Sequence, residues 1–199
     1  MRLAFAVALV ITLGSTEIER AQQMARSRES ERAQFHRKYL FDLPGDTVTQ
    51  IEVITEFRRL VMITEDHLRL GDQMFSRGVR AAEAALAPTR GMLTLKAKLR
   101  FHPLNTYADL PAVRLALGPP ATSNAATAGA PLEVLDTKVT GEHSPPFKTR
   151  DGHTVSILTG AVLQTDIPAS RAAQTTRAVG VILEGRELVR TPIDFAGLD

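Results

Sequence analysis

Two groups of residues in this chain have types and spacings that could do chemistry. The first is Glu142-His143 together with Asp151-Gly152-His153. A turn at Asp151-Gly152 would fold the chain back and bring the two histidines towards each other. His143, His153 and Asp151 would then make a minimal zinc site of two imidazoles and a carboxylate, suited to metal-dependent hydrolysis. The second is the row Lys96, Lys98, Arg100 and His102. On a strand these emerge on one face at intervals of about 6.6–6.8 Å. Like charges in a row are unfavourable unless water, neighbouring carboxylates or an anionic partner screens them. The row is therefore a candidate site for an anionic ligand. It ends in F-H-P-L-N-T-Y, where Asn105 and Tyr107 add a polar strand-end candidate.

Other constellations are weaker. Glu65, Asp66 and His67 are adjacent, so on a helix they fan out, whereas ligands sharing a helix face stand three or four apart. Ser144 follows His143 directly, and neighbours on a strand point to opposite faces. No G-x-S-x-G elbow, phosphate-binding glycine loop or dinucleotide fingerprint occurs. The chain has no cysteine, which excludes disulfides, thiolate metal sites, a cysteine nucleophile and a lipoprotein-type anchor. The net charge is +2, tryptophan is absent, and no basic cluster carries interleaved aromatics. Nucleic-acid binding is not expected. No cofactor is expected either.

The element that must carry the cationic row is Leu93 to Phe101, L-T-L-K-A-K-L-R-F. Leu93, Leu95, Ala97, Leu99 and Phe101 alternate with polar residues, which predicts a strand with one buried and one wet face. Pro103 ends it, since proline cannot donate to a ladder. The apolar face needs a cover. Ile54, Phe57, Val61, Thr64 and Leu68 follow helical spacing, and the spacing predicts a long helix over residues 47–70. The competing reading takes Ile51, Val53 and Ile54 as strand residues, because β-branched side chains suit sheets.

Around this core the chain divides into three parts. Residues 1–15 open with Arg2 and an apolar run from Leu3 to Leu13, followed by Gly14 and Ser15. That is the shape of a secretory signal peptide or a short N-terminal anchor. The run is shorter than the ~20 residues that cross a bilayer as a helix. Residues 16–40 predict a charged helix lying on the surface, with Thr16 and Glu19 as its capping box. Residues 41–199 predict one α+β domain. Within it, Val79 to Leu86 reads as a short helix and Pro111 to Gly118 as a strand. Residues 118–131 read as a flexible loop. The remainder reads as short strands turned at Asp151-Gly152 and Glu184-Gly185. The expected fold is an antiparallel β-sandwich of about six or seven short strands with the long helix packed on it.

The functional expectation is an exported, non-enzymatic binding or structural protein of the cell envelope, periplasmic or secreted. Its partner would be an envelope protein or an anionic envelope component, with membrane contact only through an uncleaved N-terminal segment. The alternative is the metal-dependent hydrolase using His143, Asp151 and His153.

Overall fold

The computed structural model describes residues 13–102, 104, 109–120, 130–172 and 175–198. Asn105, Tyr107, residues 1–12 and most of the loop at 118–131 lie outside the described residues. The organising strand forms nearly as expected, as β3 (Met92–Arg100), with Leu93, Leu95, Ala97 and Leu99 all buried.

The region before it differs from expectation. Residues 47–70 do not form one helix. Val48–Ile54 is a strand, β2, and only Glu56–Arg69 is helical, as α3. The switch has a local cause. Thr55 stands in extended conformation, and its side chain accepts a bond from the Arg58 N–H at 3.2 Å, capping the helix. Ahead of that cap the β-branched Ile51, Val53 and Ile54 pair with β3 in register, Ile51 opposite Ala97 and Val53 opposite Leu95. Behind it Leu60, Val61 and Thr64 are buried at helical spacing.

The N-terminal segment also departs from a single surface helix. It forms α1 (Ser15–Ala25) and α2 (Glu29–Arg37), broken at residues 26–28. α1 is capped at Gly14, not at Thr16. The Gly14 N–H donates to Glu17 Oε2 at 2.9 Å, and its carbonyl accepts from Glu17 and Ile18. The thin stripe of Ile18, Ala21 and Ala25 is fully used, and α1 packs into the core against α3. Gln22, buried on α1, donates to the carbonyls of Phe75 and Gly78 in the segment between α3 and the next helix. A short helix α4 (Val79–Leu86) leads back to β3.

Eleven strands in three sheets, four α-helices and a few short 3-10 turns account for the described residues. The remaining strands are β1 (Leu40–Asp42), β4 (Val113–Pro120), β5 (Glu133–Val134), β6 (Lys138–His143), β7 (Phe147–Lys148), β8 (Thr154–Val155), β9 (Leu158–Pro168), β10 (Thr176–Leu183) and β11 (Arg186–Asp194). They form a five-stranded sheet β1-β2-β3-β9-β6, a four-stranded sheet β11-β10-β4-β5 and the small β7-β8 ribbon. All described pairings are antiparallel. The fold is α+β, with more strands than the six or seven expected. One buried cluster joins the core face of the large sheet, α1, α3, α4 and Val113, Leu115, Val179, Val181 and Ile193 of the second sheet.

The second sheet is covered over part of its other face. Leu132 lies over Gly180, whose absent side chain would meet Leu132 Cδ1 at 2.5 Å. The far side of the five-stranded sheet, which carries the cationic row, is open at Lys98 and Arg100.

Candidate functional site on the open face of the five-stranded sheet

The register of the sheet decides the neighbours of each cation. Lys96 stands between Glu52 of β2 and Gln164 of β9. Lys98 stands between Gln50 and Val162, and Arg100 stands beside Gly160. Gly160 is in turn opposite Glu142 of β6. Exposure rises along the row: Thr94 is buried, Lys96 is half-buried, and Lys98, Arg100 and His102 are exposed.

At the buried end the polar groups satisfy one another. Arg59 donates to Thr94 Oγ1, which donates to Asp166. Arg59 also donates to the carbonyls of Thr89 and Met92. Burial lowers the Arg59 pKa, opposed by the charges of Asp166 and Glu56. Lys96 faces Glu52, but that carboxylate is taken by Arg58 at 2.6 Å. Arg58 is itself buried, stacks over the Tyr39 ring, and lies 3.4 Å from His36 Nδ1. His36 in turn meets Glu65 at 3.1 Å, and Glu65 pairs with Arg32. This chain of charges ties α2, β2 and α3 together. Its members are spent on the fold and are closed to a ligand.

The exposed end differs. Lys98 and Arg100 form no ion pair with any described residue. They line an open cleft of about 560 Å³ with Asp42, Thr49, Gln50, Glu142 and Thr159. Asp42 is occupied, accepting from Gln50 Nε2 at 2.8 Å and pairing with Arg37 at 2.9 Å. Glu142 has no ion-pair partner among the described residues. It lies over Gly160, its Oε2 3.1 Å from where a Cβ would stand. The floor of the cleft is tight: that Cβ would also meet the Leu99 carbonyl oxygen at 2.4 Å. The absent side chain at 160 leaves room for the Glu142 carboxylate on the row that ends at Arg100.

The other expected residues fall elsewhere. The His102 ring accepts from the Leu104 N–H at 3.1 Å, which turns it onto its own loop. His143 ends β6 opposite Leu158. Asp151 and His153 sit in the turn of the β7-β8 ribbon, where the His153 carbonyl accepts from Thr149. No group of three or more His, Asp and Glu residues among the described residues is arranged to hold a metal ion. The ribbon exposes Phe147 and Val155, and Ile157 just after it is exposed too. Sequence reasoning did not select Thr49, Gln50, Asp42 and Thr159, because they come from different strands and only pairing register brings them together. Glu142 was noticed for its neighbour His143, not for its place opposite Gly160.

No protein-family model matches this chain, and no curated protein matches it.

Proposed function

We propose that this chain is an exported, non-enzymatic binding protein of the cell envelope, which holds an anionic group of its ligand between Lys98 and Arg100. The observation that carries this reading is the pair of exposed cations, in phase on one strand, with no carboxylate in ion-pair range among the described residues. Glu52, which stands opposite the adjacent Lys96, is held by Arg58, and Asp42 is held by Arg37 and Gln50. In this reading the two larger sheets are the layers of an antiparallel sandwich, and the uncovered outer face of one is the binding surface. Export rests on Arg2 and the apolar run from Leu3 to Leu13.

Two measurements test it. Fusing residues 1–30 to a reporter active only after export tests location, and an inactive reporter removes the envelope from the reading. Retention on an acidic polysaccharide resin at low salt tests the surface. Replacing Lys98 and Arg100 together with Gln should abolish retention while the circular dichroism spectrum stays unchanged. Equal retention of the folded variant overturns the assignment of the site.

A further inference from the structure

β6 and β9 are the arms of a hairpin that runs on past the five-stranded sheet. Their ladder ends at His143 opposite Leu158. The Ser144 N–H then donates to the Ile157 carbonyl at 2.8 Å, and the same arms continue as the β7-β8 ribbon. There Phe147 stands opposite Val155 and Lys148 opposite Thr154, with no third strand beside them. An isolated two-stranded hairpin is marginal in water, and this one leaves its apolar side chains wet. Phe147 and Val155, directly opposed, are 44% and 36% exposed. Ile157, at the period-two position beyond Val155, is 41% exposed. Lys148 and Arg150 are exposed and form no ion pair with any described residue. Asp151 is the one acid between Ser144 and Ile157.

We propose that the β7-β8 ribbon docks on a bilayer containing anionic phospholipid, with Phe147, Val155 and Ile157 entering the interface and Lys148 and Arg150 meeting the headgroup phosphates. Two observations choose this occupant. Apolar side chains accompanied by unpaired cations complement a surface that is negative outside and apolar beneath. The long stem of Lys148 lets its ammonium reach the headgroups from the other face of the ribbon. Three partly exposed side chains also fall far short of the roughly 1,000 Å² that a specific protein interface buries, whereas a bilayer needs no matching surface. The contact is separate from residues 1–15 and uses neither Lys98 nor Arg100. It rests on the envelope reading only for the presence of a bilayer.

The chain has no tryptophan, so Phe147→Trp places a single local reporter on the ribbon. The full-length variant is mixed with vesicles whose acyl chains carry bromine, made of phosphatidylglycerol and phosphatidylcholine in equal parts or of phosphatidylcholine alone. On the mixed vesicles the emission should shift to the blue and be quenched. Because the reporter sits on the ribbon, insertion of residues 1–15 does not mimic this result. Adding Lys148→Gln and Arg150→Gln should weaken binding to the mixed vesicles by roughly fivefold for each cation lost. Adding Val155→Ser and Ile157→Ser should weaken it by roughly tenfold or more. Emission unchanged by either vesicle, or quenched equally by both, overturns the proposal. So does quenching that survives the ribbon substitutions but is lost with Lys98→Gln and Arg100→Gln, which assigns the vesicle contact to the sheet face. A blue shift without vesicles that grows with protein concentration makes a second copy the occupant and overturns it too. Circular dichroism confirms that each variant is folded.

Discussion

Glu52 and Lys96 stand directly opposite each other on β2 and β3, yet the Glu52 carboxylate bonds the Arg58 guanidinium and not the lysine. The choice follows from burial. Arg58 is sunk between α2, β2 and α3, with the Val53 carbonyl as a further acceptor. Burial lowers its pKa, and Glu52 is the largest opposing influence. A half-buried lysine can turn to water and an enclosed guanidinium cannot. Arg58→Met should therefore destabilise the fold by about 3 kcal/mol, the scale of breaking a buried ion pair from one side. Urea unfolding measures this, and a loss near zero would contradict the role of Arg58.

Gly160 and Gly180 make a contrasting pair. An alanine at 160 would press on the Leu99 carbonyl, which is backbone and central to the sheet. An alanine at 180 would press on the end of the Leu132 side chain, which can swing aside. Gly160→Ala should cost about 1–3 kcal/mol, as overpacking does, and Gly180→Ala should cost less. Thermal melts of the two variants give the order. Equal melting temperatures would contradict the tight floor of the cleft.

Asp72 caps the turn after α3. Its carboxylate accepts from the Phe75 N–H at 3.1 Å and meets His67 Nδ1 at 2.9 Å, and the His67 ring stacks on Phe75. The Phe75 N–H first, and then His67, hold the Asp72 carboxyl below its ordinary range. A depressed carboxyl stabilises the fold fully above the unfolded pKa of about 3.9 and loses that contribution as pH falls through the folded value. Asp72→Asn should therefore be less stable than the wild type at pH 7, and the gap should close under strongly acidic conditions. Urea unfolding across that range checks it, and a gap independent of pH would contradict it.

Leu13 and Gly14 belong to the fold: Leu13 is 9% exposed within the core cluster, and Gly14 closes the first turn of α1. A cut after Ser15 would remove both. A chain starting at Thr16 should lose about 1–3 kcal/mol relative to one starting at Thr12, from the cap and the buried leucine. Equal melting temperatures of the two would show that neither residue matters to the folded domain.

The legible parts of the fold were those with local signals. β3 was readable because alternation over nine residues leaves no other period. The turn at Glu184-Gly185 was readable from its glycine, and both residues have positive φ, 50° and 81°. That is the backbone of a two-residue hairpin turn. β2 was hidden because Ile51, Val53 and Ile54 run without a break into the apolar spacing of α3. The single Thr55 cap separates them, and threonine alone is a weak marker. The buried role of α1 was hidden because the many charged residues around it outweighed a stripe made mostly of small residues. The candidate site was half legible. The period-two pattern put Lys98 and Arg100 on the wet face. It could not show that Arg58 had claimed Glu52, or that Gly160 and Glu142 would flank Arg100. Those facts belong to the pairing of distant strands.

The most direct test is the salt dependence of retention on an acidic polysaccharide resin, for wild type and for the Lys98→Gln, Arg100→Gln double variant. The account predicts measurable wild-type binding at low salt that weakens towards about 150 mM, where exposed charges are screened beyond ~8 Å. The double variant should bind weakly at every salt concentration. Equal affinities for the two proteins at low salt, with both folded, would contradict the claim that this face of the sheet is a binding surface.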